Sequence, residues 1–234
     1  HMVMHGEKLL VVGGGQSAAG RLWNSGTLMV YENEEWTNFN EREVSQEKGY
    51  GANDYMDVAV DPNDENHYFV SCFGEGIIEI KDNKFVELYN HLNTDALQAV
   101  NVPREDPRRY VRVCGVTFDK EGNLWATNSE VNNGIVRRSP EGKWESFNFQ
   151  ALTTSYEVDK ILITSGGDKW VNVPRSRTTG GVGILIFNDE GSHFEANFNT
   201  INNQNPIRSK NCFSMAEDFS GQIWIGTAQG PIIC

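Results

Sequence analysis

The segment Asp218-Phe219-Ser220-Gly221-Gln222-Ile223-Trp224-Ile225-Gly226-Thr227 constrains this chain more than any other, because weaker copies of it stand upstream. Asp119-Lys120-Glu121-Gly122-Asn123-Leu124-Trp125-Ala126-Thr127 repeats its acid, glycine, tryptophan and threonine at matching offsets. Gly166-Gly167-Asp168-Lys169-Trp170-Val171 keeps the turn and the Trp, and the stretch from Asp61 to Val70 keeps a polar turn followed by an aromatic strand. An internal repeat fixes an architecture before any single residue can be assigned chemistry.

Each copy sits inside a longer unit of apolar strand, polar turn, aromatic strand, loop, third strand, short turn and aromatic fourth strand. The clearest unit covers 111–149, with strands expected at 111–118, 124–128, 134–139 and 143–147. Short alternating runs bounded by Gly, Asn and Asp mark half-buried strands. The best helix candidate, 93–100, is short. Phe69, Trp125, Trp170 and Trp224 are spaced by about 56, 45 and 54 residues, against roughly 40–50 for a four-stranded blade before loop insertions. A second ladder, Trp36 to Phe39, Phe85 to Tyr89, Trp144 to Phe147 and Phe194 to Phe198, runs in step with the first.

Two ladders in step predict an all-β fold: a β-propeller of four-stranded antiparallel blades, about five units in one domain over 1–234. The blades are expected near 3–40, 55–90, 111–149, 160–198 and 212–234, with the first and last incomplete. His1-Met2 reads as a cloning scar. The first unit shows only a stub of its inner strand before the turn at His5-Gly6-Glu7-Lys8, and the last stops in its third strand at Cys234. The sequence therefore reads as an excerpt of a longer protein. Its orphaned strand edges are expected to pair with each other, to pair with a second chain in a dimer, or to remain frayed.

The net charge of −12, from 20 basic and 32 acidic residues, disfavours nucleic acid, which demands a basic surface. It equally disfavours anionic lipid, and no apolar run approaches the roughly 20 residues of a membrane span. Cys72, Cys114, Cys212 and Cys234 fall in expected strands without C-x-x-C spacing or histidine companions, so they read as free structural thiols.

Candidate chemistry is sparse. The Asp-x-x-Gly-x-x-Trp turn lacks the alternating oxygen ligands of a calcium loop. Asp119, Gly122, Trp125, Trp170, Asp218, Gly221 and Trp224 are read instead as the structural blade motif. In that motif Asp accepts backbone hydrogen bonds, Gly supplies the positive φ, and Trp wedges between blades. The glycine run 13–15 follows a strand but leads to another strand, so it is no dinucleotide fingerprint. The histidines at 1, 5, 67, 91 and 193 are scattered, and no catalytic residue, metal ligand or cofactor site is assigned.

Loop lengths carry more information. Links 13–26, 41–54, 91–109, 128–133, 174–183 and 200–211 are long and fall on one face. Those at 33–35, 81–84, 140–142 and 188–192 are tight and fall on the other. Long loops on a rigid scaffold are where binding tends to sit. They hold Arg21, Trp23, Arg104, Arg108, Arg109, Arg175, Arg177 and Arg208. Of these, Arg21, Trp23, Arg175, Arg177 and Arg208 form the candidate ligand-binding set, with a stacking ring and forked donors for a carbohydrate or protein ligand. The alternative is that the arginines pair with nearby acids such as Glu105 and Asp106.

The stretch Gly221-Gln-Ile-Trp-Ile-Gly-Thr227, with Glu217-Asp218 before it and the lead-in Asn202-Asn-Gln-Asn-Pro206, resembles the two-component regulator propeller repeat. Tyr89-Asn-His-Leu-Asn93 and Gly122-Asn-Leu-Trp125 are similar to other parts of that repeat. The resemblance implies a periplasmic sensor region of a Bacteroidetes hybrid two-component system, ahead of a β-sandwich, a membrane span and a histidine kinase. Val70-Ser-Cys-Phe-Gly-Glu-Gly-Ile-Ile-Glu-Ile80 also resembles a propeller protein of the type IX secretion apparatus, which implies work at the cell surface without a kinase. The expected function is non-enzymatic ligand recognition by a sensor. The alternative is an envelope or secretion scaffold recognising a surface polysaccharide or a protein.

Overall fold

A computed structural model describes residues 1–17, 20–101, 106, 108, 110–153, 155–176, 183–190, 193–196, 212–227 and 230–234. Five antiparallel sheets form the blades. Blade 1 runs Met2–His5, Lys8–Val12, Thr27–Glu32 and Glu35–Asn40. Blade 2 runs Tyr55–Asp61, Asp64–Gly74, Gly76–Lys81 and Lys84–Tyr89. Blade 3 runs Val116–Phe118, Leu124–Thr127, Ile135–Arg138 and Trp144–Phe147. Blade 4 runs Ile161–Ile163, Lys169–Asn172, Ile184–Phe187 and His193–Ala196. Blade 5 comprises three strands, Cys212–Glu217, Ile223–Thr227 and Gly230–Ile233.

Strand register shows that the aromatics are equivalent. Phe69 pairs with Ala59, Trp125 with Thr117, Trp170 with Leu162 and Trp224 with Ala216. Each sits on the second strand, paired with a residue of the innermost one. The turns that lead into the tryptophans share one geometry. Gly122, Gly167 and Gly221 have φ of 81°, 93° and 81°, and their N–H groups donate to the carbonyls of Asp119, Thr164 and Asp218. Asp119 Oδ1 accepts the Asn123 N–H at 2.8 Å, and its Oδ2 accepts the Trp125 indole N–H at 2.7 Å. Asp218 repeats both contacts, with Gln222 at 3.0 Å and Trp224 at 2.8 Å. In blade 4 Thr164 Oγ1 takes the acid's place and accepts the Asp168 N–H at 3.1 Å. In blades 3 and 5 one side chain thus satisfies the turn and orients the indole.

Apolar clusters lie at the four junctions between successive blades. Phe69 faces Phe118 of blade 3 at 5.6 Å, and Trp125 reaches Phe187 of blade 4 at 5.9 Å while stacking on its own Phe147 at 5.5 Å. Trp170 packs among the buried residues of blade 5. Trp125 is 2% exposed, whereas Trp224, at the far end of the series, is 41% exposed.

Four sequence expectations change. Blade 1, expected to be incomplete with a stub for its inner strand, has four strands, its short inner strand Met2–His5 pairing along its length with Lys8–Val12. The expected strand 111–118 is broken. Val111–Arg112 pairs with blade 2, and the inner strand of blade 3 begins at Val116. Gly115 lies in the break, where a Cβ would stand 2.7 Å from the Asp159 carbonyl. The segment 93–100 is not helical but begins in turns and bends, where the Asn90, Asn93 and Thr94 side chains accept nearby backbone N–H groups and favour local turns. The α-helix is Arg42–Lys48, closed by Gly49 at φ 75° with Val44 buried. Its signals are Glu43 in the first turn, Lys48 in the last and the glycine just after.

The thiols are unbridged, and Cys72, Cys114 and Cys212 are buried. Burial pushes Cys72 and Cys114 well up and Cys212 to about 11, which makes them inert. Cys114 lies in the break before blade 3, and Cys234 follows the last strand and is exposed, so neither falls in a strand.

The burial gradient has a measurable consequence. Trp125→Ala should cost about 3–5 kcal/mol, the range for a buried Trp, and Trp224→Ala should cost clearly less. Denaturant unfolding of the two variants checks this, and equal losses would refute the wedge as the source of the stability.

Candidate functional site

The antiparallel order puts the long links on one rim, though not every link there is long. Between the second and third strands of blade 2 the link is a single residue, Glu75, flanked by Gly74 and Gly76. That short link forms the floor of the best-defined part of the rim. Arg21, whose side chain is 4% exposed, enters from the blade 1 loop, and its Nη2 donates to both Glu75 oxygens at 3.0 Å. Its Nε donates to Asp54 Oδ2 at 3.4 Å. Both carboxylates are fully buried. A Cβ on Gly74 would fall 2.1 Å from Arg21 Nη1, so the glycine makes room for the guanidinium. The Asn53 N–H also donates to Glu75, at 3.1 Å.

Trp23 is the outward product of this network. Its backbone N–H donates to Asp54 Oδ2 at 3.0 Å, and the next, from Asn24, donates to Oδ1 at 2.9 Å. These bonds hold Trp23 at φ 60°, an uncommon conformation for a bulky residue. The Arg21 guanidinium lies 4.1 Å from the ring centroid, and the ring is 52% exposed. The result is an exposed indole held by buried charge. Nearby elements of the rim add Leu22, 48% exposed, and Tyr50, whose OH accepts from Asn90 at 3.2 Å and whose ring lies 5.0 Å from Arg108.

Arg21, Arg108 and Arg112 of the rim have acid partners. Arg108 Nη2 donates to Asp106 at 2.6 Å, the pairing that the sequence left open. Arg112, not singled out in the sequence, meets Glu130 at 2.5 Å. Arg21 is therefore an internal brace and Trp23 the outward group. Arg175 lies in a two-residue strand registered against Glu157. Arg177, Arg208, Arg104, Arg109 and Glu105 lie outside the described residues. Asp54 and Glu75 escaped sequence reasoning, as their bonds to Arg21 span 33 and 54 residues. The Gly-Glu-Gly phrase was the visible signal.

A second cavity, of about 550 Å³, lies on the axis and is walled by innermost strands through Val58, Val116, Ile161 and Met215. At its edge Lys160 Nζ donates to the Met56 carbonyl at 2.8 Å, the Cys114 carbonyl at 3.3 Å and Asp57 at 3.2 Å. Burial raises the Asp57 carboxyl, and Lys160 only partly offsets it. These polar groups satisfy one another. Among the described residues no group of three or more His, Cys, Asp or Glu could hold a metal, and no helix is long and apolar enough to cross a membrane.

No protein-family model and no curated protein matches the chain. Solved structures do. PorZ of Porphyromonas gingivalis, an essential bacterial surface component of the type IX secretion system, is 28% identical, with a TM-score of 0.85 over all of this chain and 32% of PorZ. The extracellular domain of the putative hybrid two-component system BT4673 from B. thetaiotaomicron is 15% identical, with a TM-score of 0.65 over 99% of this chain and 26% of that one. Virginiamycin B lyase from Staphylococcus aureus is 13% identical with a TM-score of 0.61. The chain thus spans about a third of PorZ and a quarter of the two-component domain. Both resemblances seen in the repeats are met by structural neighbours, and the second and third matches speak for the propeller fold alone.

The buried network predicts that Arg21→Ala costs about 3–5 kcal/mol, because it strands two buried carboxylates. Thermal or denaturant unfolding measures it, and a loss near zero would show that the carboxylates are hydrated.

Proposed function

We propose that this chain is a non-enzymatic recognition propeller working outside the cytoplasm at the cell surface, as an envelope or secretion-associated scaffold. The observation that carries the reading is the likeness to PorZ, which spans every residue of the chain. The Gly74-Glu75-Gly76 phrase supports it from within, since it supplies the anchor and the clearance beneath Trp23. On this reading the rim receives a surface carbohydrate or a protein. Trp23 gives a rigid stacking surface whose ordering cost is already met by folding, and Arg175, Arg177 and Arg208 are kept as proposed donors.

A second reading, the ligand-recognition region of a two-component sensor in the periplasm, is favoured by the shared fold of the BT4673 extracellular domain. Deleting the encoding gene separates the two. Lost secretion of cargo with unchanged transcription upholds the scaffold, and lost ligand-dependent transcription with intact secretion upholds the sensor.

The rim itself is tested with the purified chain against glycan arrays and envelope proteins. Trp23→Ala should weaken the captured interaction about tenfold or more, in line with the loss of a central aromatic contact. Arg175→Ala with Arg177→Ala should weaken it while changing stability by only about 0.5 kcal/mol. Binding that survives all three changes would move the site off this rim.

A further inference from the structure

Blade 2 carries an ionic cluster on the tight-turn face, away from the rim. His67 lies near the start of the second strand, with its side chain 12% exposed. Its Nδ1 is 3.0 Å from Asp61 Oδ2, at the end of the first strand, and its Nε2 is 2.7 Å from Glu79 Oε1, in the third. The other Glu79 oxygen accepts the Tyr89 hydroxyl at 2.6 Å, from the fourth strand. The Tyr89 ring meets Trp144 of blade 3 at 5.1 Å, and Arg138 of blade 3 lies over both Tyr89 and Phe69. Phe69 itself stands 4.8 Å from the imidazole. Lys81, opposite His67 in the ladder, is engaged by Asp64 at 2.7 Å.

The proton count decides what this arrangement requires. A neutral imidazole offers one N–H and one lone pair, whereas the imidazolium offers two N–H donors. Two ionised carboxylates face the two ring nitrogens, so only the imidazolium satisfies both. Deprotonation leaves a nitrogen lone pair against a carboxylate oxygen within 3.0 Å.

We propose that His67 is a proton-controlled clamp. Charged, it ties the first three strands of blade 2 together on the tight-turn face and, through Glu79 and Tyr89, steadies the junction with blade 3. Neutral, it loses one tie and turns it repulsive.

The direction of the ionisations agrees. The hydrogen bond to Glu79 holds His67 above its ordinary value despite partial burial. Burial alone would raise Glu79, yet the bonds from His67 and Tyr89 leave it below its ordinary value. Tyr89 is pushed up to about 12 by burial and by Glu79. A raised histidine stabilises fully below its unfolded value of about 6.5, and that stabilisation is lost as pH rises through the folded value. A depressed glutamate stabilises above its unfolded value of about 4.3, and that contribution is lost as pH falls through the folded value. The clamp is therefore strongest in mildly acidic solution and slackens on the alkaline side.

Thermal melts of the wild type and His67→Gln at several pH values test this. At about pH 6 the wild type should melt about 2–4 °C or more above the variant, and the gap should close by about pH 9. A gap that is the same at both values overturns the clamp. Should His67→Gln fail to fold, proton NMR on the otherwise intact chain decides. The imidazole signal that persists when His1, His5, His91 and His193 are each replaced should titrate with a midpoint above about 6.5. A midpoint at or below that value refutes the proposal.

Discussion

Blades 2, 3 and 4 each hold to the next sheet through one aromatic side chain of the second strand, Phe69, Trp125 or Trp170, wedged against it. A repeat unit of this kind cannot bury its apolar faces alone, so its stability comes from its neighbours. The wedge works only if the ring stands at a fixed angle, and in blades 3 and 5 the acid three residues before the turn glycine fixes it. Asp119 and Asp218 spend one oxygen on the turn backbone and the other on the indole N–H. Turn shape and interblade packing are thereby set by the same side chain. Where Thr164 replaces the acid, the turn persists and the indole bond has no counterpart from that position, which shows the turn to be the more basic requirement.

That rigid frame makes the rim's charge arrangement sustainable. Arg21, Asp54 and Glu75 come from three different links and meet in a buried space. A guanidinium between two carboxylates tolerates burial only when its remaining donors and acceptors are satisfied, and the Trp23, Asn24 and Asn53 N–H groups do this for the acids. The same bonds hold the loop that presents Trp23. Loop position and ring orientation thus follow from a polar network, whereas the blade junctions follow from apolar packing.

What was legible in the sequence divides along that line. Strand spacing, the tryptophan register and the tight turns are local chemistry, written in residues within a few positions of one another, and they could be read directly. The break at Val113 to Gly115 could not, because it answers to the Asp159 backbone of the next blade. The helix Arg42–Lys48 was signalled by its end residues, but with Val44 as its only buried side chain it lacked an apolar stripe. At the rim the arginines were visible, and so was Asp106 beside Arg108, but the partners of Arg21 were not, since they lie 33 and 54 positions away. The sequence alternative that arginines pair with acids holds for Arg21 and for Arg108.

Pairing of these arginines changes the kind of recognition the rim can support. An arginine whose donors are already committed to buried carboxylates cannot also fork onto an incoming anion without stranding those acids, at a cost of several kcal/mol. With Arg21 and Arg112 so engaged and Arg108 in an exposed pair with Asp106, the described part of the rim offers mainly rings and backbone in a chain of net charge −12. Long-range attraction then gives no help to an anionic partner. Contact over apolar faces, such as the pyranose face of a sugar or an aliphatic side chain on Trp23, is what the proposed rim site would reward.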